Sequence, residues 1–144
     1  MAKAKENKNT KGLEEVELSN SKKNSHNKTL GMRGEDAATK YLEAKGYIIL
    51  DRNWKCKMGE IDIVAKFEDV LVFVEVKTRS NLEVGLPEDA VGPKKRRKYE
   101  SLAAMYLQDH EYVDMAVRFD VVGLLVIKKD RALLRHHINA FGVA

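Results

Sequence analysis

The stretch GEIDIVAKFEDVLVFVEVKTR, Gly59 to Arg79, reads as two β-strands joined by a polar turn. In its second half Val70, Val72, Val74 and Val76 alternate with Leu71, Phe73, Glu75 and Lys77, the two-residue period of a strand. Glu75 and Lys77 therefore share a side and interrupt an otherwise apolar face. In the first half Ile61, Ile63 and Ala65 point one way and Asp62 and Val64 the other, while Glu68 and Asp69 supply the turn. Counting back from that turn, Phe67 faces Val70, Lys66 faces Leu71, Val64 faces Phe73, and Asp62 faces Glu75. Directly opposed residues hold their Cβ atoms roughly 4.5 to 5.5 Å apart, and like charges placed there destabilise the sheet. A cation would offset that repulsion. Sites with few protein carboxylates suit magnesium or manganese, which keep waters and accept phosphate oxygens, so the pattern points to phosphodiester chemistry. The same residues also fit solvated strand ends, with Lys77 simply pairing with Glu60.

Upstream, Leu30 to Lys45 reads as a helix: Ala37, Ala38, Tyr41 and Leu42 recur at helical spacing, and Gly46 ends the run. Glu35 falls on the buried stripe near the helix start, where it either complements the helix dipole or reaches a site beside the sheet. Arg33 and Arg52 lie where phosphate contacts are available. Tyr47 to Asn53 holds a short apolar run that fits a strand covered on both faces. Trp54 suits packing against the hairpin, and Cys56 is an inert free thiol. Met1 to about Asn27 is rich in Lys, Asn, Ser and Glu and reads as a disordered tail, with the folded domain beginning near residue 29.

Downstream, Ser80 to Gly92 is a polar loop carrying Gly85 and Pro87. Pro93 opens a helix running to about Asp109, with Tyr99, Leu102, Ala103 and Tyr106 as its apolar stripe. Lys94, Lys95, Arg96, Arg97 and Lys98 crowd its first turns, where cations oppose the helix dipole and one another. An anionic partner relieves that cost, and a nucleic-acid backbone supplies one without sequence reading. Ala116 to Ile127 and Ala132 to Phe141 form a second hairpin. Asp120 in its first strand is an edge residue, an arginine partner or a neighbour of the site. His136 and His137 point to opposite faces of a strand and do not hold one metal together.

A chain of 144 residues, nearly half of them hydrophobic, fits one domain, and its net charge of +4 is modest. The single cysteine excludes an internal disulfide and a cysteine-based zinc site, and points to a reducing cytoplasm. No apolar run approaches membrane-spanning length.

Gly59-Glu60-Ile61-Asp62 followed by Phe73-Val74-Glu75-Val76-Lys77 resembles the metal-dependent PD-(D/E)XK nuclease superfamily. Within it the match is to the YraN family of largely uncharacterised bacterial proteins, which look like archaeal Holliday junction resolvases. The resemblance runs from about Gly31 through the last strand; the proline of the superfamily's name is replaced by Ile61. It implies a restriction-endonuclease-like α/β/α sandwich around a mixed sheet of about five strands, as the order of elements also suggests. It further implies that Asp62 and Glu75 hold Mg2+ or Mn2+ with help from Glu35, and that Lys77 orients or activates water. Arg33, Arg79 and Lys94 to Lys98 become the candidate DNA contacts, and a homodimer is expected. The rival readings are a nucleic-acid-binding module without turnover and an adaptor whose basic helix meets an acidic protein.

Overall fold

In the computed structural model, which describes residues 12–19, 22–23, 26–80, 93–112 and 114–141, the central stretch folds as a hairpin with the expected turn. Its strands are β5 (Gly59–Phe67) and β6 (Val70–Arg79). Before them come β1 (Leu13–Glu17), β2 (Lys22–Lys23), β3 (His26–Asn27), α1 (Leu30–Ala44) and β4 (Ile48–Cys56). After them come α2 (Pro93–His110), β7 (Ala116–Lys128) and β8 (Arg131–His137). A six-stranded sheet has the order β1-β8-β7-β6-β5-β4, and β2 pairs with β3 separately. The pairing of β6 with β7 is parallel and the others are antiparallel. Parallel neighbours need a crossover, and α2 lies within it.

The two-residue alternation of β6 sorts the core into two halves. Val72 and Val74 join Ala37, Ala38 and Leu42 of α1, while Leu71 and Phe73 join Leu102, Ala103 and Tyr106 of α2. One helix therefore covers each face. The approach of α1 is close: a Cβ on Gly34 would lie 1.8 Å from Oγ1 of Thr78 on β6. Only a residue without a side chain lets the helix backbone come that near. Thr29 caps α1, its hydroxyl accepting from the Met32 N–H at 3.2 Å, and Gly46 leaves it at φ 97°.

Three expectations are corrected. The tail is not structureless throughout: Leu13–Glu17 is a sixth strand, so the sheet exceeds the five expected. Its acidic residues are matched to a basic neighbour, with Glu14 near Lys45 at 3.1 Å and Glu15 near Arg131 at 3.4 Å, and Leu18 is buried beyond it. Residues 1–11 lie outside the described residues, as does the expected loop from residue 81 to 92. The second correction is β4, which was expected to be covered on both faces; it is an edge strand with Ile48 60% exposed. It also runs on through Trp54 to Cys56, and Trp54 packs edge-on to Tyr106 with centroids 5.2 Å apart. The third is Ile61, which leaves Ile63 and Ala65 to join Val64 on the α2 side. The pairs Arg52↔Ile63 and Trp54↔Ile61 bracket Asn53, whose left-handed φ of 53° marks a local distortion of the sheet.

Among the described residues no helix is long and apolar enough to cross a membrane.

Candidate active site

That distortion sets the position of Asp62. Pairing of β5 with β6 runs from Phe67↔Val70 to Ile63↔Val74, as counting from the turn predicts, and stops one step short of Asp62 and Glu75. In place of a further ladder bond, Asp62 Oδ2 accepts from the Val76 N–H at 2.8 Å. Burial pushes Asp62 up to about 6 against the lowering effect of that bond, and the charges of Glu35, Glu75 and Glu60 push the same way. Burial and the neighbouring carboxylates thus both disfavour the charged form of Asp62.

Glu75 is held differently. Lys95 of α2 places Nζ 2.7 Å from Glu75 Oε1, while Oε2 is buried with no hydrogen-bond partner among the described residues. Lys77 hydrogen-bonds to Lys95, and that contact, followed by burial, lowers Lys77. Lys95 is held above its usual range despite burial, through Glu75 and Lys77. The two ammonium groups are thus shifted in opposite directions, Lys77 down and Lys95 up. Tyr99, buried beside the same carboxylates, is pushed up by burial and then by Glu75 and Asp62.

Asp62, Glu75 and Glu60 line one cleft of about 1130 Å³. Its α2 wall carries Lys94, Lys95 and Lys98, and its other wall, the β4–β5 turn, carries Lys55, Lys57 and Met58. The walls meet closely at Gly59 (φ 143°), where a Cβ would lie 3.1 Å from Lys98 Cε. Lys55 and Lys57 were missed by sequence reasoning, although their alternation around Cys56 just before a Met-Gly turn is a legible signal for one-sided lysines on a hairpin.

The remaining expected residues divide. Glu35 is buried, as its stripe position predicts, and its charge reaches Asp62; its Oε1 accepts from Asn53 at 2.7 Å and from Arg52 at 3.4 Å. Burial raises it against those two partners. Arg79 follows Lys77 along β6, its Nε buried and without a hydrogen-bond partner among the described residues. Arg97 is exposed, and Arg96 lies 3.6 Å from Glu100 one helical turn on. Arg33 is not in the cleft: it donates to the carbonyls of Ser19 and Lys129, tying the segment after β1 to the β7–β8 turn. Arg52 is committed to Asp36 at 2.8 Å as well as to Glu35. Both arginines thus spend some of their donors within the fold, Arg33 through Nε and Nη2 and Arg52 through Nη2.

Among the described residues no group of three or more His, Cys, Asp and Glu side chains is gathered to hold a metal ion. The carboxylates that line the cleft are Asp62, Glu75 and Glu60, with Glu35 set back on its own partners.

The raised Asp62 has a consequence for stability. Its folded value of about 6 lies above the ordinary 3.8, so its protonated form stabilises the metal-free fold below about pH 4 and that contribution is lost as pH rises through 6. With part of the group open to solvent, the loss is expected to be on the order of 2 kcal/mol. Urea unfolding in EDTA should show Asp62→Asn gaining on the parent between those pH values. A parallel pH dependence of the two proteins would contradict the assignment.

A model of the uncharacterised protein family UPF0102 matches residues 34–124, from the close-packed glycine of α1 into β7. The chain belongs to this family. It is the YraN family that the GEID and FVEVK motifs resemble, and the matched span contains Glu35, Asp62, Glu75, Lys77 and both lysine walls. A UPF0102 protein of Geobacter sulfurreducens is 45% identical over 119 residues, covering 83% of this chain and 93% of the relative. One from Dictyoglomus turgidum is 38% identical over 117 residues, covering 81% and 99%. One from Clostridioides difficile is 42% identical over 116 residues, covering 81% and 99%. UPF0102 has no assigned activity in that description, so function is argued from the cleft.

Proposed function

We propose that this UPF0102 protein is a metal-dependent nuclease that hydrolyses phosphodiester bonds in structured or branched DNA, on a restriction-endonuclease-like α/β/α sandwich. The observation that carries this reading is the pairing of two carboxylates, Asp62 and Glu75, in the floor of a cleft whose walls bear five lysines. Acidic floors repel phosphate unless a cation intervenes, and lysine walls have no purpose without an anion.

The residues fit a divalent ion. Glu75 Oε2 is buried without a partner among the described residues, and Asp62 carries a charge that its neighbours disfavour. Mg2+ and Mn2+ take one or two carboxylates and fill their other positions with water and phosphate oxygens, so a third clustered ligand is not required. Asp62 and Glu75 would hold the ion directly, with Glu35 assisting through water. When bound, the ion would supply Lewis acidity, neutralising phosphoryl charge and making water more acidic. Lys77, beside Lys95, would orient or activate the attacking water and steady charge on the phosphate. Lys55, Lys57, Lys94 and Lys98 bind flanking phosphates.

The test is cleavage of a branched DNA duplex with Mg2+ against EDTA, together with binding as a function of salt. Each lysine contact removed lowers the slope of log K against log salt by roughly 0.9. The Lys55→Gln, Lys57→Gln double variant should flatten the slope by about 1.8, uniformly across sequences. An unchanged slope would take the β4–β5 turn out of the DNA site, and cleavage that proceeds undiminished in EDTA would overturn the metal-dependent reading.

A further inference from the structure

We propose that Lys95 is the resident counterion of the candidate metal site and that it sets how tightly the site takes a divalent cation. The inference rests on the nuclease reading, since it concerns the same carboxylates. Its basis is the contact between Lys95 Nζ and Glu75 Oε1 at 2.7 Å, made inside the cleft by side chains only 27% and 12% exposed. Lys94 and Lys98 line the same cleft, but it is Lys95 that pairs with a carboxylate there.

The pair has two consequences. It compensates Glu75 in the absence of metal, in a cleft that Asp62 and Glu60 also line. It also opposes loading. A cation that enters must either take Oε1 from the ammonium or bind through the unpartnered Oε2 and sit beside that ammonium, charge against charge, with Lys77 close by. The first arrangement costs the Lys95–Glu75 contact and the second the repulsion between ammonium and ion, so both weaken metal binding. An incoming phosphate changes the balance, because it offers Lys95 another anion and so favours occupation of the site by metal.

Manganese binding to the full chain, followed by the electron paramagnetic resonance of free Mn2+, tests this without recourse to cleavage. Lys95→Gln is expected to bind Mn2+ about tenfold more tightly than the parent. Lys98→Gln removes the same charge from the same cleft without touching Glu75 and should change affinity far less. Lys95→Arg, which keeps the charge, should stay near the parent and guards against a fold defect in the glutamine variant. If the parent binds Mn2+ and Lys95→Gln binds it no more tightly than Lys98→Gln does, the inference is overturned and the metal reading stands. If none of the four proteins binds Mn2+, both fall.

Discussion

Asp62→Asn is expected to lower metal-dependent cleavage of branched DNA by at least about 10³-fold, with binding retained or slightly tightened. The amide keeps an oxygen for the Val76 N–H and so preserves the contact that ends the β5–β6 ladder. It removes one of the two charges that would hold the ion, and with it the repulsion from Glu35, Glu75 and Glu60. The variant should therefore be at least as stable as the parent at neutral pH, which separates lost chemistry from lost structure. Single-turnover cleavage checks the rate, and urea unfolding checks the fold. An Asp62→Asn protein that cleaves as well as its parent would overturn the catalytic assignment of Asp62.

The second large effect is on stability and lies on the neighbouring strand β7, where Asp120 is paired with Val74. Asp120→Ala is expected to cost about 3–5 kcal/mol, the range for breaking a buried ion pair by removing one partner. Asp120 is 1% exposed and takes four contacts: Arg118 Nε at 2.9 Å and Nη2 at 2.8 Å, His136 Nε2 at 2.7 Å and the Asn139 N–H at 2.9 Å. Burial opposes its charge, but His136 and Arg118 outweigh that and hold it below the usual carboxylate range. Arg118 passes the network on to the Tyr47 hydroxyl at 2.6 Å, and His136 Nδ1 lies 3.2 Å from the Tyr41 hydroxyl. Removing the carboxylate strands a buried guanidinium and an imidazole among aromatic rings. Denaturant unfolding that shows a change below about 1 kcal/mol would contradict this account of the network.

Asp120 also marks where sequence reasoning runs out. A carboxylate in an apolar strand is visible at once, and an arginine partner two residues away was among the expected outcomes. His136 was not, because the β7–β8 register that brings Val122 opposite His136 is a tertiary fact. The hairpin, by contrast, was legible down to individual pairs, since a two-residue turn and strict alternation leave one register. What alternation did not convey was its own failure at Ile61, which depends on Asn53 in a different strand adopting a positive φ.

The polar partners within the fold were the least legible part of the sequence. Leu13–Glu17 looks like solvated tail because three of its five residues are acidic, and it becomes a strand by pairing with arginine-bearing β8. Arg33 and Arg52 look like free cations until the fold sets carbonyls and Asp36 against them. The run Lys94 to Lys98 was read as needing an outside anion; Lys95 finds Glu75, and Arg96 approaches Glu100. Long polar side chains choose partners by proximity in space, whereas apolar ones declare their face by period.

Asp62 and Glu75 sharing a divalent ion is the claim on which the functional account stands. The most direct measurement is anomalous diffraction from crystals soaked in Mn2+. The account predicts a peak within coordination distance of both carboxylates, with the Lys95 ammonium moved off Glu75. A map with no peak there, and Lys95 still on Glu75 Oε1, would contradict it.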